Sequence, residues 1–310
     1  MRVAMLGARP EPDGARSERA RTPGREDRRA AGLIRQCAPV PGVEERPLGH
    51  TGMSVPVVGM GTWKTFDVEG AERNARRRLV RESLDIGLRL FDSSPMYGLA
   101  EEVLADAVRA RRDEAIIATK VWAASAQEGV RQIERALEWF GGEVEIYQVH
   151  NLRLWKEHLP ELERRKKNDE VRAIGVTHYN HNAFDELEEV LRTGRCDMVQ
   201  IPYNVADRVV ESKILPLCGK MGIGVLVMEP LGTGALVRKA PAPEQLTPFL
   251  DEEIQTWPQV LLKWILSDPR VTAVIPATTS LAHMRENAAA GEGDWYDEKE
   301  REAIAALFPH

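Results

Sequence analysis

The feature that most limits the fold of this chain is an alternation of short apolar runs with longer helical segments, repeated eight times. The runs, rich in β-branched and aliphatic residues, occupy 57–61, 88–92, 115–120, 144–150, 173–177, 198–201, 224–228 and 273–276. Apolar residues recur at helical spacing over 75–86, 100–110, 126–140, 156–167, 183–191, 210–220, 258–266 and 281–290. A helix between two strands returns the chain to the same end of the sheet, so successive strands run parallel through right-handed crossovers. Eight such units over about 265 residues from Arg46 onward predict a (β/α)8 TIM barrel, whose usual length is ~250 residues. A doubly wound open sheet is the competing α/β arrangement, but the GxGxxG turn that usually follows its first strand is missing. Gly59-Met-Gly61 leads into Thr-Trp-Lys and no helix.

Two flanking regions differ in texture. Arg46-Pro-Leu-Gly and Ser54-Val-Pro-Val surround the turn His50-Thr-Gly52, which predicts an N-terminal β-hairpin capping the barrel. Residues 1–45 are rich in Arg, Pro, Gly and Ala and hold no sustained period, so they read as a disordered extension, with the barrel domain over 46–310. Arg28-Arg29 resembles the start of a twin-arginine leader, yet only residues 30–34 are apolar before Arg35 interrupts, short of the roughly 7–15 that a signal peptide needs. Export is poorly supported and a cytoplasmic protein is expected. Residues 295–310 read as one further amphipathic helix, with no long C-terminal loop to narrow a pocket, which favours a broad substrate range.

Composition narrows the ligand. A net charge of −6 argues against a nucleic-acid or anionic-membrane partner, both of which need clustered excess Lys and Arg. No apolar run approaches the ~20 residues of a membrane span. Cys37, Cys196 and Cys218 are odd in number and widely spaced, so neither a disulfide framework nor a metal site is expected. A small soluble molecule is the expected partner, and the chain itself a monomer or weak homo-oligomer.

Polar residues stand at or near the C-terminal ends of the predicted strands, where a barrel assembles its active site. Asp92, Lys120, His150, Thr177 and Gln200 all do so, with Tyr97 on the loop after the second strand. A tyrosine acting as general acid works best with its pKa drawn down toward the working pH, and a nearby cation does this. Lys120 is expected to supply that charge, with Asp92 holding the ammonium, and the neutral imidazole of His150 to donate a hydrogen bond to the substrate oxygen that Tyr97 would protonate. Each residue alone has an ordinary structural explanation, such as a helix cap for Asp92 or a solvated surface charge for Lys120. Four complementary groups on consecutive strand ends at one rim are harder to explain that way.

The segments Phe91-Asp-Ser-Ser-Pro-Met-Tyr-Gly, Ala118-Thr-Lys, Gln148-Val-His, Gly175-Val-Thr-His-Tyr-Asn, Gln200-Ile-Pro-Tyr-Asn and Val274-Ile-Pro-Ala-Thr-Thr-Ser resemble the signature segments of the aldo-keto reductases. The resemblance runs in the family's order over roughly Arg46 to Asn287. It implies a barrel that binds NADPH across its C-terminal face without a metal, and a catalytic group of Asp92, Tyr97, Lys120 and His150.

Carried over by position, the resemblance implies that Gly61, Thr62 and Trp63 line the nicotinamide, and that Thr177, His178 and Gln200 meet its carboxamide. His178 departs from the Asn usual there. Met228 replaces a frequent aromatic residue, though a thioether still packs on a ring. Leu231, Gly232 and Thr233 match a loop along the pyrophosphate, and Ala277, Thr278, Thr279, His283, Glu286 and Asn287 match the adenosine end. Members strict for NADPH usually carry Lys and Arg where Ala277 and His283 stand, so NADPH is favoured while NADH remains open. Trp63, Met96 and Trp122 are expected to wall an apolar substrate pocket.

The expected function is NAD(P)H-dependent reduction of aldehydes or ketones, with Tyr97 as general acid. A cofactor-binding sensor with little turnover is the alternative from another class. A Schiff-base aldolase using Lys120 is a second enzymatic alternative, disfavoured by Asp92 beside a lysine that would have to be neutral.

Overall fold

The computed structural model describes residues 43–308. Strands β1 (Glu45–Pro47) and β2 (Ser54–Pro56) form the expected antiparallel hairpin, with Arg46 opposite Val55. Gly49 turns it at φ +54°, and a Cβ there would lie 2.6 Å from the Gly222 carbonyl oxygen, so only glycine lets the hairpin sit this close. Leu48 and Val55 join the apolar cluster inside the barrel, and the hairpin thereby plugs its N-terminal end.

Eight strands follow in one parallel sheet: β3 (Met60–Gly61), β4 (Leu90–Asp92), β5 (Ile116–Val121), β6 (Val144–His150), β7 (Val171–Thr177), β8 (Met198–Pro202), β9 (Gly224–Met228) and β10 (Ala273–Val274). Each bonds its neighbour in sequence, and the ends meet. The Gly59 N–H donates to the Val274 carbonyl at 2.8 Å, the Gly61 N–H to that of Pro276 at 3.2 Å, and the Val274 N–H to that of Val57 at 2.9 Å. The sheet is therefore a barrel. β3 is shorter than the run 57–61 because the run meets the last strand only through isolated bridges, Val58 to Val274 and Gly61 to Ala277, and not a continuous ladder.

Helices α1 (Glu72–Asp85), α2 (Ala100–Val108), α3 (Ala126–Trp139), α4 (Trp155–Lys167), α5 (Phe184–Arg192), α6 (Ile214–Met221), α7 (Trp257–Leu266) and α8 (Leu281–Ala289) follow the barrel strands in turn. α9 (Glu298–Ala306) comes last, begun by a reciprocal cap between Asp297 and Glu300. α3 illustrates the local logic. Ser125 caps it by accepting from the Glu128 N–H, and Gly129, Ile133, Ala136 and Leu137 share the buried face at helical spacing. Each large aliphatic side chain so buried contributes ~1.5–3 kcal/mol.

Strand alternation sorts the barrel interior into layers. Leu90, Ile116, Ala118, Ile146, Ala173, Met198, Leu226 and Ala273 fill its lower part. Two residues further along the same strands, the inward positions turn polar, giving Asp92, Lys120, Gln148 and Gln200, all buried. One boundary needs correction. Residues 43–45 belong to the folded body: Glu45 pairs with Pro56, and Glu44 bonds Gly291 and Val57 through its backbone. The rest of the expected extension, residues 1–42, lies outside the described residues.

The connection from β9 to α7, which begins with the loop of Leu231, Gly232 and Thr233, is long. It spans 229–256 and contains a single helical turn (Pro243–Leu246) and three 3-10 turns. Four bonds strap it down: Trp257 Nε1 to the Leu236 carbonyl (3.1 Å), Lys263 Nζ to Asp251 Oδ2 (3.3 Å), the Tyr296 hydroxyl to the Phe249 carbonyl (2.8 Å), and the Thr256 hydroxyl to Glu286 Oε1 (2.5 Å). Among the described residues no helix is long and apolar enough to cross a membrane.

Candidate active site

Adjacent strands in register deliver the site. Asp92 ends β4 opposite Ala118 of β5, and Lys120 follows two residues later on the same inward face. Lys120 Nζ donates to Asp92 Oδ1 at 2.7 Å, to Oδ2 at 2.8 Å and to the Ser93 carbonyl at 2.7 Å. The ammonium's three hydrogens are thus all engaged. The side-chain amides of Gln148 and Gln200 reach the same carboxylate at 3.5 Å each. Burial pushes the Asp92 carboxyl up and the Lys120 ammonium down, and in each case the partner's charge opposes the shift.

Tyr97 stands over this pair. Its ring centre is 5.4 Å from Lys120 Nζ and 5.9 Å from the His150 ring, which it meets edge-on at 88°. The expected lowering of the Tyr97 pKa by Lys120 is not what the geometry gives. Burial raises it, and the carboxylates of Asp92 and Glu229 add to the rise, because Lys120 spends its donors on Asp92 and Ser93. Tyr97 is held firmly protonated. Burial, with Lys120 and His178 nearby, drives His150 down to about 3, so its imidazole is neutral as expected. Its Nδ1 lies 2.8 Å from the buried Ser94 hydroxyl.

The mouth above is apolar. Trp63 is 41% and Met96 48% exposed, with Lys64 Nζ 4.0 Å from the Trp63 ring centre. Trp122 is half-buried and held from behind: Gln132 accepts from its N–H at 2.9 Å and donates to its carbonyl at 2.8 Å, while the Arg153 guanidinium lies 5.1 Å from its ring. These three residues stand just beyond the C-terminal ends of β3, β4 and β5, and Gln132 and Arg153 are supports that the sequence did not show.

The other predicted residues lie at the ends of β3, β7, β8 and β9, in the turn after β9, and around α8. Gly61 lies where a Cβ would come 2.9 Å from the Ile275 carbonyl oxygen, and Thr62 bonds Ser93 at 2.9 Å and is buried. Thr177 pairs with both His150 and Gln200 across β6, β7 and β8. His178 is half-buried, accepts from the Asn180 N–H at 3.0 Å and stacks on Tyr179. Met228 ends β9 half-buried, and Leu231 leads into a turn in which Gly232 and Thr233 both take positive φ. Ala277, Thr279 and His283 are exposed around the start of α8, where Thr278 caps the Ser280 N–H at 3.1 Å; Asn287 is buried in that helix. Glu286 is tied to Thr256. Arg285, near enough in sequence to assist an anion, is bonded to Glu82 at 2.7 Å.

A nicotinamide cofactor fits this lining. Gln200 Oε1 is buried without a hydrogen-bond partner, an acceptor that suits a carboxamide N–H. The start of α8 is an N-terminus in which Ser280 caps the His283 N–H and Thr278 the Ser280 N–H, with the small residues Ala277 and Thr279 exposed beside it.

Residues 57–308 match the Aldo/keto reductase family, and the chain belongs to that family. It is 26% identical over 245 residues to "Methylglyoxal reductase YeaE" of Escherichia coli (strain K12), covering 76% of this chain and 86% of that one. It is 25% identical over 307 residues to "NADH-specific methylglyoxal reductase" of the same organism, covering 79% and 92%. Among solved structures, an aldo-keto reductase from Klebsiella pneumoniae in complex with NADPH superposes with a TM-score of 0.72 at 26% identity, covering 86% of this chain and 94% of the other.

Proposed function

We propose that this protein is an NAD(P)H-dependent reductase that converts aldehyde or ketone carbonyls of small molecules to alcohols, with Tyr97 as proton donor. The observation that carries this reading is the convergence of Tyr97 and His150 over the buried Asp92–Lys120 pair, beneath the apolar mouth of Trp63 and Met96.

When bound, the cofactor supplies hydride to the carbonyl carbon. Gln200, Thr177 and His178 would hold its carboxamide, with Gly61, Thr62 and Trp63 beside the ring and Met228 against it. Leu231, Gly232 and Thr233 would follow the pyrophosphate, and Ala277, Thr278, Thr279, His283, Glu286 and Asn287 the adenosine end. Trp63, Met96 and Trp122 exclude water and orient the carbonyl toward the acid.

Tyr97 keeps its proton until negative charge develops on the substrate oxygen, then passes the hydroxyl hydrogen to it. The Lys120 ammonium, 5.4 Å from the ring, stabilises the phenolate left behind, and Asp92 fixes that ammonium in place. His150, neutral, donates a hydrogen bond to the same oxygen without competing as an acid. Lys120 makes a poor Schiff-base nucleophile because its nitrogen is buried and triply bonded. The free thiols of Cys196 and Cys218 suit a reducing compartment, the cytoplasm.

The test is loss of reduced-cofactor absorbance, with NADPH and NADH supplied separately, against a panel of aliphatic and aromatic aldehydes that includes methylglyoxal. Turnover is expected. Tight cofactor binding with no turnover would favour the sensor reading instead.

A further inference from the structure

Ser94 is buried and bonds both the His150 side chain and the Tyr97 backbone. Its hydroxyl oxygen lies 2.8 Å from His150 Nδ1 and accepts the Met96 N–H at 3.2 Å, while its carbonyl accepts the Tyr97 N–H at 3.0 Å. One short turn therefore registers Tyr97 against His150. A serine hydroxyl has one hydrogen to give and two lone pairs to offer. Met96 occupies one lone pair, which leaves the contact with Nδ1 to be assigned.

If Nδ1 carried the ring proton, both lone pairs would be filled and the Ser94 hydrogen would be buried with no acceptor among the described residues. If Nδ1 accepts, every group is satisfied, and the single proton of a neutral ring must sit on Nε2. We propose that Ser94 is a positioning residue that fixes His150 as the Nε2–H tautomer, turning that N–H toward the substrate oxygen. The inference rests on the reading of His150 as carbonyl donor for its functional consequence, but not for the tautomer itself.

Two measurements separate these parts. Imidazole 15N NMR of the intact protein should give His150 the signature of an Nε2–H ring, shifting to a tautomer mixture in Ser94→Ala or in the size-matched Ser94→Cys. An Nδ1–H ring in the unmodified protein would overturn the proposal whatever the variants do. In turnover assays, Ser94→Ala should lower kcat about 10-fold or more, as loss of an orienting partner does for a functional histidine. KM and cofactor Kd should stay within about twofold, and Ser94→Thr should recover most of the rate. Placed on His150→Gln, Ser94→Ala should have no additional effect. An equal loss in that background would mean that Ser94 acts only through the turn. A fully active His150→Gln enzyme would defeat the donor reading while the NMR result still judged the tautomer.

Discussion

The Lys120 ammonium lies 2.7 Å and 2.8 Å from the two carboxylate oxygens of Asp92, and both side chains are buried at the floor of the site. Removing one charge strands the other, at a cost of about 3–5 kcal/mol, whereas replacing both by apolar groups can be nearly neutral. Lys120→Met should therefore lower urea-unfolding stability by that amount, and Asp92→Leu/Lys120→Met should recover much of it. Activity should be lost in both. A double variant as unstable as the single one would mean the pair is not the unit described.

Glu101 of α2 is buried and accepts the Thr119 hydroxyl at 2.5 Å, directly behind Lys120 on β5. Burial pushes its carboxyl up to about 7. A carboxyl raised in the folded state binds its proton more tightly there than in the unfolded chain. Its contribution to stability is thus complete below the unfolded value and fades as pH rises through about 7. Glu101→Gln should gain on the wild type by up to ~3 kcal/mol between acid pH and pH 8, read as the difference in unfolding free energy. A constant difference across that range would contradict it.

Gln132 clamps both backbone groups of Trp122 and so fixes one wall of the pocket. Gln132→Ala should raise KM for aromatic aldehydes several-fold and leave kcat nearly unchanged, the pattern of lost uniform binding. An equal fall in kcat would instead move Trp122 into the transition-state contacts.

Cofactor preference turns on the start of α8, where Ala277 and His283 are exposed and Arg285 is held by Glu82. A 2′-phosphate meets little fixed positive charge there, so NADPH and NADH should bind with similar affinity. Ala277→Lys should tighten NADPH by about 10-fold and leave NADH unchanged, measured by fluorescence titration. Strong NADPH preference in the unmodified protein would show that Arg285 leaves Glu82 to grip the phosphate.

Sequence periodicity was sufficient for the barrel because each strand and helix buries its own face, and the pattern needs no long-range information. Asp92, Lys120 and His150 were legible for the same reason: each marks where an inward, apolar strand face turns polar. Gln148 followed that rule too, two residues before His150 on the same face, and could have been read from it. Ser94 and Gln132 could not. Their partners lie on other elements, and a serine or glutamine in a loop or helix carries no mark of what it bonds. The Tyr97 electrostatics failed at the same point, since a strand-end lysine does not announce that its donors are already taken by Asp92 and Ser93. The strap over 229–256 did leave a signal, a connection far longer than the few residues usual between strand and helix.

The central claim is that the Tyr97 hydroxyl delivers the proton, and Tyr97→Phe tests it most directly because only that oxygen is removed. Turnover of the best aldehyde should fall at least ~100-fold, with cofactor Kd within about twofold of the unmodified protein. A Tyr97→Phe enzyme that binds cofactor and reduces the aldehyde at the original rate would contradict the account.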